Sequence, residues 1–170
     1  KIKNFYVVIY HPILNEQKNL KNQLSSLLKA IRETDLNVIW VYPNTDMGFK
    51  SVISILKKSK NKKIKIISNL ERSEFLDILN QSSGIIGNSS AGIIEASIFK
   101  KPVINIGNRQ NERPQSCNIV NCDNNKKDII KKINFVKKNK KFLNNLNSCK
   151  NPYYRKNSSE IIYRIINSLK

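Results

Sequence analysis

The stretch GIIGNSSAGIIEAS, residues 84–97, reads as a short apolar strand running directly into a helix. Ser89 and Ser90 fall at the cap and first turn of that helix, where backbone N–H groups lack intrahelical partners and the helix dipole is positive. Such a junction suits an anion, a phosphate above all, or it is an ordinary serine cap. Gly87 and Gly92 permit close approach of backbone to ligand or strand, and the serine hydroxyls add donors.

The same strand-then-helix unit recurs in both directions. FYVVIY (5–10) precedes a helix near 16–32, NVIWVY (37–42) a helix near 48–59, and IKII (64–67) the segment RSEFLDILNQ (72–81). The helix that follows residues 84–87 spans about 90–99, PVINIG (102–107) leads through a loop to NIVNC (118–122), and a lysine-rich helix follows that Asn124 or Asn125 can cap. Pro152 breaks the chain, and Ser158 or Ser159 can cap a last helix ending at Leu169. Strands apolar throughout, separated by helices, indicate a doubly wound α/β domain with a parallel sheet and helices on both faces.

In such sheets ligands bind outside the carboxyl ends of the strands. The residues just past each strand are therefore where chemistry collects: His11 and Pro12, then PNTD with Asn44, then SNL (68–70), then NSSAG, then GNRQNERP (107–114). Glu95, alone among apolar neighbours, needs a partner. It either accepts hydrogen bonds from a pair of vicinal hydroxyls, as on a ribose, or pairs with Lys100, Lys101 or an arginine. Arg109 and Arg113 suit bidentate phosphate contact, or lie on the surface. His11, the chain's one histidine, is either held structurally by a loop or donates to a phosphate and helps protonate a departing group. Asp46 is expected only to shape the Asn44 loop.

Length and composition bound the rest. With 170 residues and 39% hydrophobic content, one globular domain is expected. The first apolar run is shorter than a signal-peptide core and no stretch is long enough to span a membrane, so no membrane partner is expected. Cys117, Cys122 and Cys149 form no CxxC pair and leave an odd count. A zinc site or disulfide framework is therefore not expected, and reduced thiols in a cytoplasm are. The net charge of +19 raises a polyanion partner. Most of the excess, however, is lysine at 57–65 and along 126–141, where Ile129, Ile130, Ile133 and Val136 recur at helical spacing, which leaves the lysines on a solvated face. A nucleic-acid module is the alternative from a different class, yet the aromatic residues show no RNA-binding pattern.

HP at 11–12, YPNTD at 42–46, GNSSAGIIEA at 87–96 and KPVINIGNRQ at 101–110 occur in the same order and spacing in the carboxyl-terminal half of the UDP-N-acetylglucosamine 2-epimerase family, which the chain resembles over essentially its whole length. The GNSS and NIGNRQ forms are similar to the hydrolysing, sialic-acid-pathway branch. ERP at 112–114 resembles the non-hydrolysing branch. The resemblance implies a GT-B-like pair of Rossmann-like halves with a UDP-sugar between them, residues 1–170 being the UDP-binding half and the amino-terminal catalytic half lying outside this chain. It places His11, Asn44, Leu70, Ser89, Ser90, Glu95 and Arg109 against UDP, with the serines at the diphosphate and Glu95 toward the ribose. Arg113 is a weaker candidate, and His11 would assist UDP departure. The implied reaction removes the proton at sugar C2 and eliminates UDP to a 2-acetamidoglucal, to which water or UDP adds back. It needs no metal or redox cofactor. A cytoplasmic homodimer when full length, inactivity of this half alone and no specific nucleic-acid partner are the further expectations. A glycosyltransferase of similar architecture is the alternative within the enzyme class.

Overall fold

A computed structural model describes residues 3–45 and 47–169; Asp46 lies outside the described residues. Six strands form a single sheet, all pairs parallel: β1 (Phe5–Ile9), β2 (Asn37–Val41), β3 (Ile64–Ile67), β4 (Ile85–Gly87), β5 (Val103–Ile106) and β6 (Ile119–Cys122). Their spatial order is β3-β2-β1-β4-β5-β6. The chain therefore winds one way from β1 to β3 and then returns to the other side of β1 for β4, leaving a crevice between β1 and β4 where doubly wound sheets hold ligands. Ile9 stands opposite Gly87, so the loops that follow these two strands leave the sheet level with each other.

Helices cover both faces. α1 (Leu20–Glu33), α2 (Phe49–Lys58) and α5 (Lys126–Lys138) pack Leu24, Leu27, Val52, Leu56, Ile129 and Ile133 with Trp40 in the larger core. On the other face α3 (Arg72–Gln81) contributes Leu79 to a smaller core with Phe5, Val7 and Ile9. The central strands carry apolar residues on both sides because both faces are covered, which explains their lack of alternation. Gly87 has φ +139°, and a Cβ there would overlap the Ile9 carbonyl. Glycine at this point lets β4 lie tight against β1 as the chain turns into its loop.

Several expectations are corrected. The helix after β4 is α4, Ser90–Ile94, far shorter than 90–99; residues 95–100 form turns instead. Gly92 and the β-branched Ile93 and Ile94 are poor helix formers, and Asn151 Nδ2 donates to the Ile94 carbonyl at 2.9 Å, capping the end. The long lysine helix divides at Asn139, which ends α5 and caps α6 (Lys140–Asn145) by accepting the Phe142 N–H at 2.8 Å. Asn125 rather than Asn124 caps α5, accepting from the Asp128 N–H at 2.9 Å, while Asn124 Oδ1 accepts from the Tyr10 hydroxyl at 2.9 Å. The cap residue of α7 (Ser158–Ser168) is Asn157, in the left-handed region that asparagine tolerates. Neither Ser158 nor Ser159 occupies that position.

The cysteines also depart from expectation. Cys117 and Cys149 are joined by a disulfide, with Cα atoms 5.3 Å apart, and Cys122 is the buried free thiol. Pairing across 32 positions tethers the end of the β5–β6 loop to the segment after α6, a proximity that only the tertiary fold creates. Among the described residues no helix is long and apolar enough to cross a membrane.

Candidate functional site

A cavity of about 690 Å³ lies at the carboxyl ends of β1 to β5. Seven of the eight residues singled out in the sequence line it: His11, Asn44, Leu70, Ser89, Ser90, Glu95 and Arg109. The sheet order sorts them. The loops after β2 and β3 bring Tyr42, Pro43, Leu70 and, from α3, Phe75 to one side, where these apolar and aromatic groups alternate with the polar Asn44, Thr45, Ser68 and Asn69. The loops after β4 and β5 bring Ser89, Ser90 and Arg109 to the other, a wall of donors, with His11 after β1 between the two. Arg113 is exposed and does not line the cavity; its N–H closes a turn on the Gln110 carbonyl at 3.1 Å.

The donor wall is built locally. Ser89 caps α4, its Oγ accepting from the Ala91 N–H at 3.3 Å. Used as an acceptor, that hydroxyl still has its own proton to donate. Because α4 is only five residues long, its dipole is small. The anion-binding capacity of this side rests mainly on the two hydroxyls and the arginine. Arg109 Nη1 donates to the Asn88 carbonyl at 3.0 Å, which anchors the guanidinium beside the serines and leaves its other donors for a ligand.

Glu95 is mostly covered, its side chain 14% exposed, and pairs with Arg72 Nη1 at 3.4 Å, whose side chain is 75% exposed. The carboxylate thus lines the cavity while it holds an arginine, the ion-pair alternative that its position allowed. His11 is buried at 5% exposure. Its N–H donates to Asn88 Oδ1 at 2.7 Å and its carbonyl accepts from Asn88 Nδ2 at 2.8 Å.

Asn88 was missed as an individual residue. It is fully buried, and its carbonyl also accepts from Gln110 Nε2 at 2.9 Å. Its partners lie 77 and 22 positions away, beyond the reach of any local pattern. Tyr42 and Phe75 were likewise missed; the single available signal was their place at a strand end and on the first turn of the next helix.

The family model described as UDP-N-acetylglucosamine 2-epimerase matches residues 1–167. The chain belongs to this family. It is 38% identical over 122 residues to a Legionella pneumophila protein named UDP-N,N'-diacetylbacillosamine 2-epimerase (hydrolyzing), covering 71% of this chain and 32% of that one. It is 30% identical over 168 residues to Escherichia coli polysialic acid biosynthesis protein P7, covering 97% of this chain and 43% of the relative. Among solved structures, the Methanocaldococcus jannaschii UDP-GlcNAc 2-epimerase in complex with UDP-GlcNAc and UDP superposes with a TM-score of 0.78 at 23% identity, over 98% of this chain and 46% of that one. At that identity the superposition shows the doubly wound fold. The chain spans less than half the length of these relatives and corresponds to their carboxyl-terminal half.

Proposed function

We propose that residues 1–170 form the UDP-binding half of a UDP-N-acetylglucosamine 2-epimerase of the hydrolysing type, acting on UDP-N-acetylglucosamine or a related UDP-diacetamido sugar. The observation that carries this reading is the convergence, at the β1/β4 crevice, of hydroxyl and guanidinium donors, a carboxylate and aromatic side chains in one cavity. These are the complements of a diphosphate, a vicinal diol and a base. Ser89, Ser90 and Arg109 would take the diphosphate, Glu95 the ribose hydroxyls, and Leu70 and Asn44 the uracil side. Two relatives named as hydrolysing enzymes support the hydrolysing branch, and the relative named for polysialic acid biosynthesis supports a role in nonulosonic-acid supply.

In that reaction the C2 proton is removed, the C1–O bond breaks, and UDP leaves to give a 2-acetamidoglucal. Water then adds at C1 and a proton returns to C2. This half stabilises the charge that develops on the departing diphosphate, through Arg109, the serine hydroxyls and His11. Proton transfer at C2 belongs to the amino-terminal half, so this half alone is inactive. The apolar stripe of α7 supports a second half: Ile162, Ile165, Ile166 and Leu169 recur at helical spacing and all are more than half exposed. The full-length protein would act as a homodimer.

Calorimetric titration with UDP, with ADP and an Arg109→Ala variant as controls, tests the reading. UDP-selective binding lost in the variant is expected. Equal, salt-abolished binding of both nucleotides would overturn it. With the second half restored, UDP release from UDP-N-acetylglucosamine without return to a UDP-sugar would distinguish hydrolysis from simple epimerisation.

A further inference from the structure

The positive charge is gathered on one side of the molecule. α1, α2 and α5 carry twelve lysines and arginines against two acids, Glu33 and Asp128, a net +10, and pack on one face of the sheet. On the opposite face α3 carries Arg72 against Glu74 and Asp77. The two acids on the basic face are already engaged, Glu33 by Lys126 Nζ at 2.8 Å and Asp128 by the Asp123 N–H at 2.9 Å.

Between α1 and α2 runs a groove of about 340 Å³. Leu28 and Ile55, both half-buried, form its apolar lining, and Lys21, Lys29, Arg32 and Lys58 line it with cations. None of these four has an acidic partner among the described residues. Along α1 the lining positions 21, 25, 28, 29 and 32 make a stripe about 16 Å long at ~1.5 Å per residue.

That layout selects among anionic partners. A compact phosphate group would draw the cations into one cluster, whereas here they are strung along the groove. A membrane surface favours protruding apolar side chains, whereas the apolar surface here is recessed. Single-stranded nucleic acid uses aromatic stacking, and no aromatic side chain lines this groove. An elongated ligand with an apolar ridge flanked by carboxylates matches both the shape and the charge. We propose that the α1–α2 groove docks an acidic amphipathic helix of a partner protein, its apolar anchors against Leu28 and Ile55 and its acids paired with the cations. The groove ends at Lys58–Asn61, by the amino end of β3, the edge of the sheet opposite the nucleotide cavity. Docking therefore leaves that cavity open.

The test is fluorescence anisotropy on the full chain with a labelled peptide of about four helical turns, leucines at i, i+3, i+4 and i+7 and glutamates flanking them. A second peptide has the same composition with the leucines dispersed around the helix. The patterned peptide is expected to bind at least about tenfold more tightly than the dispersed one, a margin of about 1.4 kcal/mol. K29E/R32E/K58E should weaken it at least about tenfold, and K137E/K138E on α5 by less than about threefold. Circular dichroism and thermal melting confirm that both variants fold. Equal binding of the two peptides, or equal loss in the α5 variant, would reduce the face to bulk charge and overturn the proposal. Absence of peptide binding overturns it as well, and binding to phosphatidylglycerol vesicles or poly(U) in its place would assign the face to another class of partner.

Discussion

Asn88 grips the backbone of His11 from both sides, Oδ1 accepting its N–H at 2.7 Å and Nδ2 donating to its carbonyl at 2.8 Å. Through its own carbonyl, which accepts from Arg109 and Gln110, it also holds the loop after β5. The side-chain amide and main-chain carbonyl of this one buried residue thus tie together the loops after β1, β4 and β5. Asn88→Ala leaves two buried backbone groups of His11 unpaired and is expected to cost about 3 kcal/mol. The carbonyl that holds Arg109 belongs to the main chain and survives in the variant, so UDP binding should weaken only through the loosened His11 loop, by less than about tenfold. Urea denaturation and UDP titration check both, and a variant of unchanged stability would show that water replaces the amide without cost.

The Arg72–Glu95 pair invites the opposite result. An ion pair with one member so exposed contributes at most about 1 kcal/mol, and the proposed nucleotide competes for the same carboxylate. Arg72→Ala should therefore change stability by less than about 0.5 kcal/mol and leave UDP affinity unchanged or modestly higher. Glu95→Gln should weaken UDP about tenfold while the protein stays folded. If Arg72→Ala lost as much affinity as Glu95→Gln, Arg72 itself would be holding the ligand.

What the sequence made legible was whatever local chemistry dictates. The apolar runs marked all six strands, and strand ends marked six of the candidates that line the cavity, because a parallel sheet puts its loops at one edge whatever the topology; Glu95 stood out instead as a lone acid among apolar neighbours. Asn88, Tyr42 and Phe75 escaped because their roles depend on neighbours brought in by strand order. The Cys117–Cys149 pairing escaped for the same reason, since an odd count of cysteines argued against any bridge and only folding sets two of them 5.3 Å apart. The short α4 reflects a tertiary cap from Asn151, which lies outside any window around Gly92.

Gly87 provides a sharp test of the β1–β4 junction. An added methyl would overlap the Ile9 carbonyl at a backbone angle that side chains rarely adopt. Gly87→Ala is expected to cost more than about 3 kcal/mol and yield little folded protein. Ser90→Ala, three residues later and half-buried, should fold normally. Comparable melting of the two variants would show that the strands separate without penalty.

The disulfide closes a loop of 32 positions, and constraining the unfolded chain to that extent contributes about 3–4 kcal/mol. Dithiothreitol should lower the unfolding midpoint of the wild type and leave Cys117→Ser/Cys149→Ser unaffected. Cys122 is buried, and burial, reinforced by Asp128, pushes its thiol well above the usual range. It should resist iodoacetamide in the reduced native protein while the exposed Cys117 is labelled. Rapid labelling of Cys122 would mean that β6 opens readily.

Asp128 ties acid stability to the start of α5. Its carboxyl is held below the ordinary carboxylate range, chiefly by the Asp123 N–H, with the Cys122 thiol, Lys132 and Lys131 adding to the effect and burial opposing it. Since the folded value lies below the unfolded one, about 3.9, the unfolded chain takes up the proton first as pH falls. The contribution is therefore complete above about pH 5 and disappears as pH drops through the folded value. Asp128→Asn keeps an oxygen that can accept from Asp123 but cannot carry the charge. It should be less stable than wild type near neutral pH, with the gap narrowing below about pH 4 and closing at lower pH. Urea titrations at several pH values measure that gap. A difference that stays constant across them would assign the role of Asp128 to hydrogen-bond geometry, with its ionisation contributing nothing.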